Sequence, residues 1–552
     1  MYPLFFDPIY KKAEMKKIDG KDCICYQEDF WGTKVEEDGS VTFTMEAPKA
    51  ETVEVSGFGG TLGTEKIALE KQANGLFSKN VKGILPGFHY HRWFVDGVQV
   101  TNPHAPFAYG CFGANNFFEM PREGQDFWYL KDVPHGDVQI HSYVSTQNDH
   151  IKKCYVYLPP SYRENIDQKY PVMYIQHGVG EDETSWLWNG KLNFIMDNLI
   201  AEGKCKGMIV VMCSGYAFRD DEEAVFFPGD FGRELTEDVI PYMEHTFRVK
   251  KGRMHRAMAG LSLGSAQATQ IVSRFQNLFG HLGVFSGVRD EETERILAQF
   301  AEYPMQTVLM TAGKGEKDLD KKQKIYTDQF EKLGAAGGQR SYEGYHEWHV
   351  WRKSFKDFAQ MLFTWDDAEL DDINKAVTVR SKNIDFTTPV QADESMVFFD
   401  PVYRQIQFEN DEDGKPAGKY PDVIHGIRVT EDNSIEVNLF APDAKSVSVV
   451  LENGTEELLY RSKKNDGYWE KTIGNPAEGF NYVTFMVNGT PVVNPAAPVG
   501  FGYNRAVNFA EVSERNFSWH ELKKTDHGQI HIHYSCDGDG QVSMNYVYTP
   551  AG

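Results

Sequence analysis

The chain repeats itself at an offset of about 392 residues, and this constrains its fold more than any other sequence feature. Phe5-Phe6-Asp7-Pro8-Ile9-Tyr10 returns as Phe398-Phe399-Asp400-Pro401-Val402-Tyr403, and Ala47-Pro48 as Ala441-Pro442. Gly87-Phe88-His89-Tyr90 returns as Gly479-Phe480-Asn481-Tyr482, Val95-Asp96-Gly97 as Val487-Asn488-Gly489, and Asn102-Pro103 as Asn494-Pro495. His135-Gly136 returns as His527-Gly528 and Tyr155-Val156-Tyr157 as Tyr546-Val547-Tyr548. Matches in unbroken order at a nearly constant offset imply duplication. The expected layout is a first unit over 1–128, a second over 133–370, a copy of the first over 390–520, and a copy of the second's opening over 525–552. A linker at about 368–390 follows the acidic pair Asp366-Asp367. A chain of 552 residues has room for such a set, at roughly 150 residues per domain.

Hydrophobic residues make up 41% and charged residues 25%, enough for each unit to bury a core. The formal net charge is −23, so the chain has no electrostatic footprint for nucleic acid and an anionic membrane surface would repel it. A neutral polysaccharide or a small neutral ester suits it better. No apolar run reaches the roughly 18–20 residues that a membrane-spanning helix needs. Met1–Lys17 lacks a basic start followed by a long apolar stretch, so no signal peptide is expected. The seven cysteines (Cys23, Cys25, Cys111, Cys154, Cys205, Cys213 and Cys536) are odd in number and scattered, which reads as free thiols packed as small apolar residues.

The first and third units read as small β-sandwiches. Val41–Met45, Thr52–Ser56, Ile435–Leu439 and Val447–Leu451 are short strands, most alternating apolar and polar residues. Asp96-Gly97 and Asn488-Gly489 lie between apolar runs, as a type I′ hairpin turn requires. Ala-Pro after the second strand, and Tyr-x-x-x-x-Val-Asp/Asn-Gly followed by Asn-Pro, resemble the early-set immunoglobulin-like modules of carbohydrate-binding module family 48. A spacer or packing role is the alternative.

The second unit alternates strand and helix. Expected strands are Val172–Gln176, Met208–Met212, His255–Ala259, Leu282–Phe285 and Thr307–Thr311. Expected helices are Asn193–Ala201, Glu234–Phe247, Ala266–Phe275 and Lys321–Leu333. Apolar strands separated by amphipathic helices imply a mostly parallel sheet covered on both faces, with Asp137–Val144 and Lys153–Leu158 as an antiparallel hairpin at its edge. The fold class is therefore multidomain, a mostly parallel α/β unit between two small β-sandwiches; the serine motif and the resemblance described below imply an α/β-hydrolase fold flanked by two immunoglobulin-like sandwiches.

Gly260-Leu261-Ser262-Leu263-Gly264 lies between a strand and a helix, the context of a nucleophile elbow. A serine nucleophile needs a base, and in this fold the chain order is Ser, acid, His. His346 is the first candidate, with His349 as the alternative; His281 at a strand start reads as packing. The acid should follow strand Thr307–Thr311, where Glu316 is preferred and Asp318 stands second. The oxyanion hole should take backbone N–H groups from Leu263 and Val179, and His177 reads as structural. Trp186, Trp188, Phe226, Phe227 and Trp348 are candidates for an aromatic-lined substrate cleft, against ordinary packing.

His177-Gly178-Val179-Gly180, Gly-Leu-Ser262-Leu-Gly, Gly313-x-x-Glu316 and His346-x-x-x-x-Trp351, in that order, resemble carbohydrate esterase family one. That family includes feruloyl and acetyl xylan esterases and relatives of siderophore esterases. Many relatives carry Asp where this chain has Glu316. The resemblance implies release of ferulate or related hydroxycinnamates through an acyl-enzyme, with feruloylated or acetylated xylan and oligosaccharides as partners. It also implies a secreted or periplasmic location, with the cytoplasm as the alternative. Acetyl xylan esterase is the nearest rival, and a carbohydrate-binding scaffold with a decayed esterase is the rival of another class. No cofactor is expected, and no metal, since no His-Glu-x-x-His or similar cluster occurs.

Overall fold

A computed structural model describes residues 12–27, 32–121, 124–148, 151–217, 229–365, 407–410, 416–419, 426–503, 505–512, 528–536 and 542–550. The linker at 368–390, the repeated Phe-Phe-Asp-Pro segments, Phe226 and Phe227 lie outside the described residues.

The central unit is built on one twisted sheet. Its strands are β1 (Asp137–Val144), β2 (Ile151–Leu158), β3 (Val172–Gln176), β4 (Ile209–Cys213), β5 (Arg256–Leu261), β6 (His281–Phe285), β7 (Thr307–Gly313) and β8 (Ala336–Tyr342), in the spatial order β1-β2-β4-β3-β5-β6-β7-β8. Strands β3 to β8 run parallel, and β1 and β2 form the antiparallel edge. Strands β3, β4, β5, β6 and β7 are buried at every position, which is why they read as unbroken apolar runs. The covering helices are α1 (Leu192–Ala201), α2 (Phe231–Thr246, with a π-helical stretch at Leu235–Val239), α3 (Leu263–Arg274), α4 (Asp290–Ala298), α5 (Leu319–Lys332) and α6 (Trp348–Met361). Helix α4 and strand β8 were not expected from sequence; α4 is mostly charged, and β8 is a polar edge strand containing Gly337 and Gly338.

Each flanking unit is a sandwich of a four-stranded and a six-stranded sheet, and the two share one strand order. The strand expected at Val41–Met45 spans Val41–Glu46, and Ile435–Leu439 extends to Phe440. Inward positions such as Phe43, Trp93, Val437 and Phe485 fill the two cores, which merge into one cluster.

The two halves of the chain meet about a local two-fold axis. Thr101 and Val493, repeat equivalents of each other, exchange both backbone hydrogen bonds at 2.9 and 3.1 Å. The Ala114 N–H donates to the Pro495 carbonyl, and its equivalent Ala506 donates to Pro103. The Asn488 amide donates to its own equivalent, Asp96, at 2.7 Å. Phe107 stacks on Phe501 while Tyr109 donates to the Val499 carbonyl, again an exchanged pair.

By the repeat alone, the hairpin of β9 (Gln529–Cys536) and β10 (Val542–Thr549) has no sheet of its own to join and should pack on the second sandwich or stay poorly ordered. It instead extends the central sheet: β9 pairs antiparallel with β1 through Val138–Ile532, Gln139–His531 and Ile140–Ile530. Strand β1 has a free edge to offer, and the two-fold axis passes through the Gln139–His531 pair, so the equivalent strand fits it.

The first sandwich is locked to the hydrolase unit. Arg352 of α6 and Glu119 form an ion pair at 2.5 Å, with side-chain exposures of 1% and 5%. The Arg352 guanidinium also lies over Trp128 and donates to the Asn189 carbonyl. Removing one partner of a buried pair strands the other charge, at a cost of about 3–5 kcal/mol. Glu119→Ala should lower denaturant stability by that order, whereas Lys79→Ala, at an exposed pair on the same sandwich, should change it by less than about 1 kcal/mol; equal effects would contradict this.

Candidate active site

Strand β5 ends at Leu261 and helix α3 begins at Leu263, leaving one residue for the turn. Ser262 takes φ 51° and ψ −117°, a conformation that costs on the order of 1–3 kcal/mol outside glycine. Two glycines make the turn sterically feasible. A Cβ on Gly260 would sit 2.3 Å from the Gly264 carbonyl oxygen, and one on Gly264 would sit 2.4 Å from that of His177. The hydroxyl of Ser262 thus stands at the carboxyl edge of the sheet, over the N-terminus of α3.

His346 lies on the loop between β8 and α6. Its Nε2 is 2.8 Å from Ser262 Oγ and its Nδ1 is 2.7 Å from Glu316 Oε1. A Nδ1–H donated to the carboxylate leaves Nε2 free to accept from the serine hydroxyl. The second oxygen of Glu316 accepts from Ser286 Oγ and from the Gly313 N–H, both at 2.7 Å. Burial pushes the Glu316 carboxyl up, but the hydrogen bonds from His346, Ser286 and Gly313 outweigh it and hold it below its ordinary value. Asp318, the second candidate, instead accepts from Lys321 at 2.6 Å on the surface. Trp351 donates its indole N–H to Ser286 Oγ and sets its ring edge-on to His346 at 5.0 Å. His349 accepts its place elsewhere, against the first sandwich and the Glu343 carbonyl. His177 is structural, as expected: its Nδ1 donates to the Gly178 carbonyl and its Nε2 accepts from the Gly215 N–H.

Leu263 is the first residue of α3, so its N–H is among the helix donors without an intrahelical acceptor. Val179 sits on the loop after β3, between Gly178 and Gly180. That loop is held from three sides. The Glu181 carboxyl accepts from the Gly178 N–H at 2.9 Å and from the Trp348 indole at 3.0 Å, one on each oxygen. The Gly180 N–H donates to Tyr216 Oη, and the Gly180 carbonyl accepts from the Phe112 N–H of the first sandwich at 3.0 Å. Cys111 and Phe112 both have positive φ there. Burial pushes Glu181 up to about 8 despite its two donors. The sequence marked the loop but not Glu181, Ser286 or Phe112, each of which has a partner in a distant segment.

The proposed aromatic cleft needs correction. Trp186, Trp188 and Trp348 are buried packing residues rather than cleft walls. Trp186 donates to the Gln176 carbonyl and meets Trp348 edge-on at 5.2 Å, and Trp188 faces Tyr109 of the sandwich. Trp188 is covered from the sandwich, whereas Trp186 packs on Phe285, Phe355 and Trp348 inside its own unit, and periodicity reveals neither contact. Among the described residues no group of three or more His, Cys, Asp or Glu side chains could hold a metal ion, and six cysteines are free thiols.

The parallel sheet with its strand–turn–helix at Ser262 has the architecture of the α/β-hydrolase fold, and it aligns Ser262, His346 and Glu316 in one hydrogen-bonded line. Residues 145–362 match the family model described as putative esterase. The chain is 35% identical over 341 residues to the endo-1,4-beta-xylanase/feruloyl esterase of Xylanibacter ruminicola, covering 60% of this chain and 45% of that protein. It is 31% identical over 124 residues to endo-1,4-beta-xylanase Y of Acetivibrio thermocellus, covering 20% and 11%. Among solved structures, a CE1 ferulic acid esterase from Anaeromyces mucronatus in complex with ferulic acid is 25% identical, covers 43% of this chain and 95% of its own, and has a TM-score of 0.38. The chain thus spans less than half the length of the curated relatives it matches.

Two N–H donors fall on different oxygens of Glu181, and both oxygens of a carboxyl keep a lone pair whether or not it is protonated, whereas an amide nitrogen cannot accept. Glu181→Gln should therefore loosen the loop that carries Val179. The expected loss is about 10- to 100-fold in kcat with little change in KM, since small misplacements cost that much. Unchanged kcat would contradict the bracing role.

Proposed function

We propose that this protein is a serine carboxylic-ester hydrolase that releases ferulate or related hydroxycinnamates from xylan. The observation that carries the reading is the single hydrogen-bonded line from Ser262 Oγ through His346 to Glu316. In this mechanism Ser262 attacks the ester carbonyl while His346 Nε2 takes its proton. Glu316 holds the imidazole tautomer and stabilises the imidazolium without accepting the proton. The N–H groups of Val179 and Leu263 hold the oxyanion, each donor being worth roughly 2.7–4 kcal/mol in the transition state. The tetrahedral intermediate then collapses, its C–O bond breaks as His346 protonates the departing sugar oxygen, and the acyl group stays on Ser262. A water, activated by the same histidine, releases the acid and restores the serine.

The acyl specificity rests on the xylanase/feruloyl esterase relative, and feruloylated arabinoxylan fragments are the proposed substrate class. A site of action outside the cytoplasm follows from that substrate. No helix among the described residues is long and apolar enough to cross a membrane.

Ser262→Ala should fold normally and lose ester hydrolysis by about 10⁴-fold or more, because triad members act as a unit. Glu316→Gln should lose far more activity than Asp318→Asn; the reverse order would move the acid to Asp318. Incubation with feruloylated and acetylated xylan fragments should release ferulate in preference to acetate. Acetate as the preferred product would favour acetyl xylan esterase.

A further inference from the structure

The second sandwich carries the surface with which the first one holds a hydrolase unit, but uncovered. In the first sandwich, Phe88 stacks on Phe117 at 4.7 Å and meets Tyr90 edge-on at 4.8 Å. The hydrolase unit seals this cluster: Arg352 lies over Phe88, Asn189 donates to Tyr90 Oη, and Phe88 is 2% exposed. The equivalents Phe480, Phe509 and Tyr482 repeat both contacts, at 4.6 and 5.0 Å, yet Phe480 is 48% exposed. Glu511, the equivalent of the Glu119 that pairs with Arg352, is also exposed. Tyr503, at the tip corresponding to Cys111, is 63% exposed.

The hairpin tells the same story independently. In β2, Tyr155, Val156 and Tyr157 are at most 2% exposed and pair with Met212, Val211 and Val210 of β4. Their equivalents in β10, Tyr546, Val547 and Tyr548, are 45%, 43% and 65% exposed, on the outermost strand of the sheet. An apolar strand at the edge of a sheet is a template for another strand, and natural sheets normally cover it. A rotation about the two-fold axis that exchanges Thr101 with Val493 and Val138 with Ile530 carries the hydrolase unit onto both uncovered patches at once.

We propose that Phe480, Tyr482 and Tyr503, together with the outer edge of β10, form a docking surface for a second hydrolase unit. Its occupant is a segment of the kind formed by residues 160–363, with hairpin 529–549 serving as its first two strands. A β4-like strand pairs with Tyr546–Tyr548, and an arginine in the place of Arg352 meets Glu511. The two hydrolase sheets then run continuously across the β1–β9 pair. The proposal does not depend on which ester is cleaved.

The test joins a copy of residues 160–363 after Pro550 of the full chain and follows amide hydrogen exchange at Tyr546–Tyr548. Exchange there should slow at least about tenfold relative to the unextended chain. Phe480→Glu with Tyr503→Glu should restore fast exchange and leave hydrolysis at Ser262 unchanged. With Ser262→Ala in the first unit, an organophosphate should still label one serine per extended chain, in the added copy. An added segment that stays protease-labile, or that folds while exchange at Tyr546–Tyr548 stays fast, would overturn the proposal. Slowed exchange without labelling would leave the docking surface standing and count against the serine-hydrolase reading instead.

Discussion

The left-handed backbone of Ser262 is the constraint on which the rest depends. A strand must become a helix across one residue, and only then does a serine hydroxyl stand clear of the sheet and over a helix N-terminus. The turn is possible because Gly260 and Gly264 leave room for each other and for the His177 carbonyl. Its strain persists because both flanking elements are fixed: β5 pairs with β3 and β6, and α3 is buried over most of its length. The same close approach brings the loop after β3 beside the serine, so the elbow and the oxyanion loop are one steric unit.

The imidazole and the loop are held by groups that stand outside the reacting line. Ser286 connects Glu316 to Trp351, and Glu181 connects Gly178 to Trp348, so both tethers end on the first turn of α6. Helix α6 is in turn fixed to the first sandwich by the Arg352–Glu119 pair. The sandwich also donates the Phe112 N–H to Gly180. The first sandwich is therefore part of the scaffold of the site, and its aromatic face is spent on that contact.

Much of this was legible in the sequence, for reasons that differ by element. The interior strands read clearly because burial on both faces demands unbroken apolar runs, as in Val172–Gln176. The elbow read clearly because only glycine satisfies its sterics. Helix α4 and strand β8 did not, since a charged surface helix and a glycine-bearing edge strand carry little periodic signal. The tryptophans misled because short connecting segments and helix starts are usually exposed; Trp186 is instead buried on Phe285 and Phe355, and Trp188 on Tyr109, all distant in sequence. The repeat showed that β9 and β10 copy β1 and β2, but the edge they join is set by the two-fold axis, which only the folded chain reveals.

The most direct measurement of the central claim is rapid-quench mass spectrometry during turnover of an activated feruloyl ester. A feruloyl group on the peptide containing Ser262 should appear before steady state and, once the ester is consumed, decay at the rate of acid release. Steady hydrolysis with no acyl group on Ser262, or with the acyl group on another residue, would contradict the account.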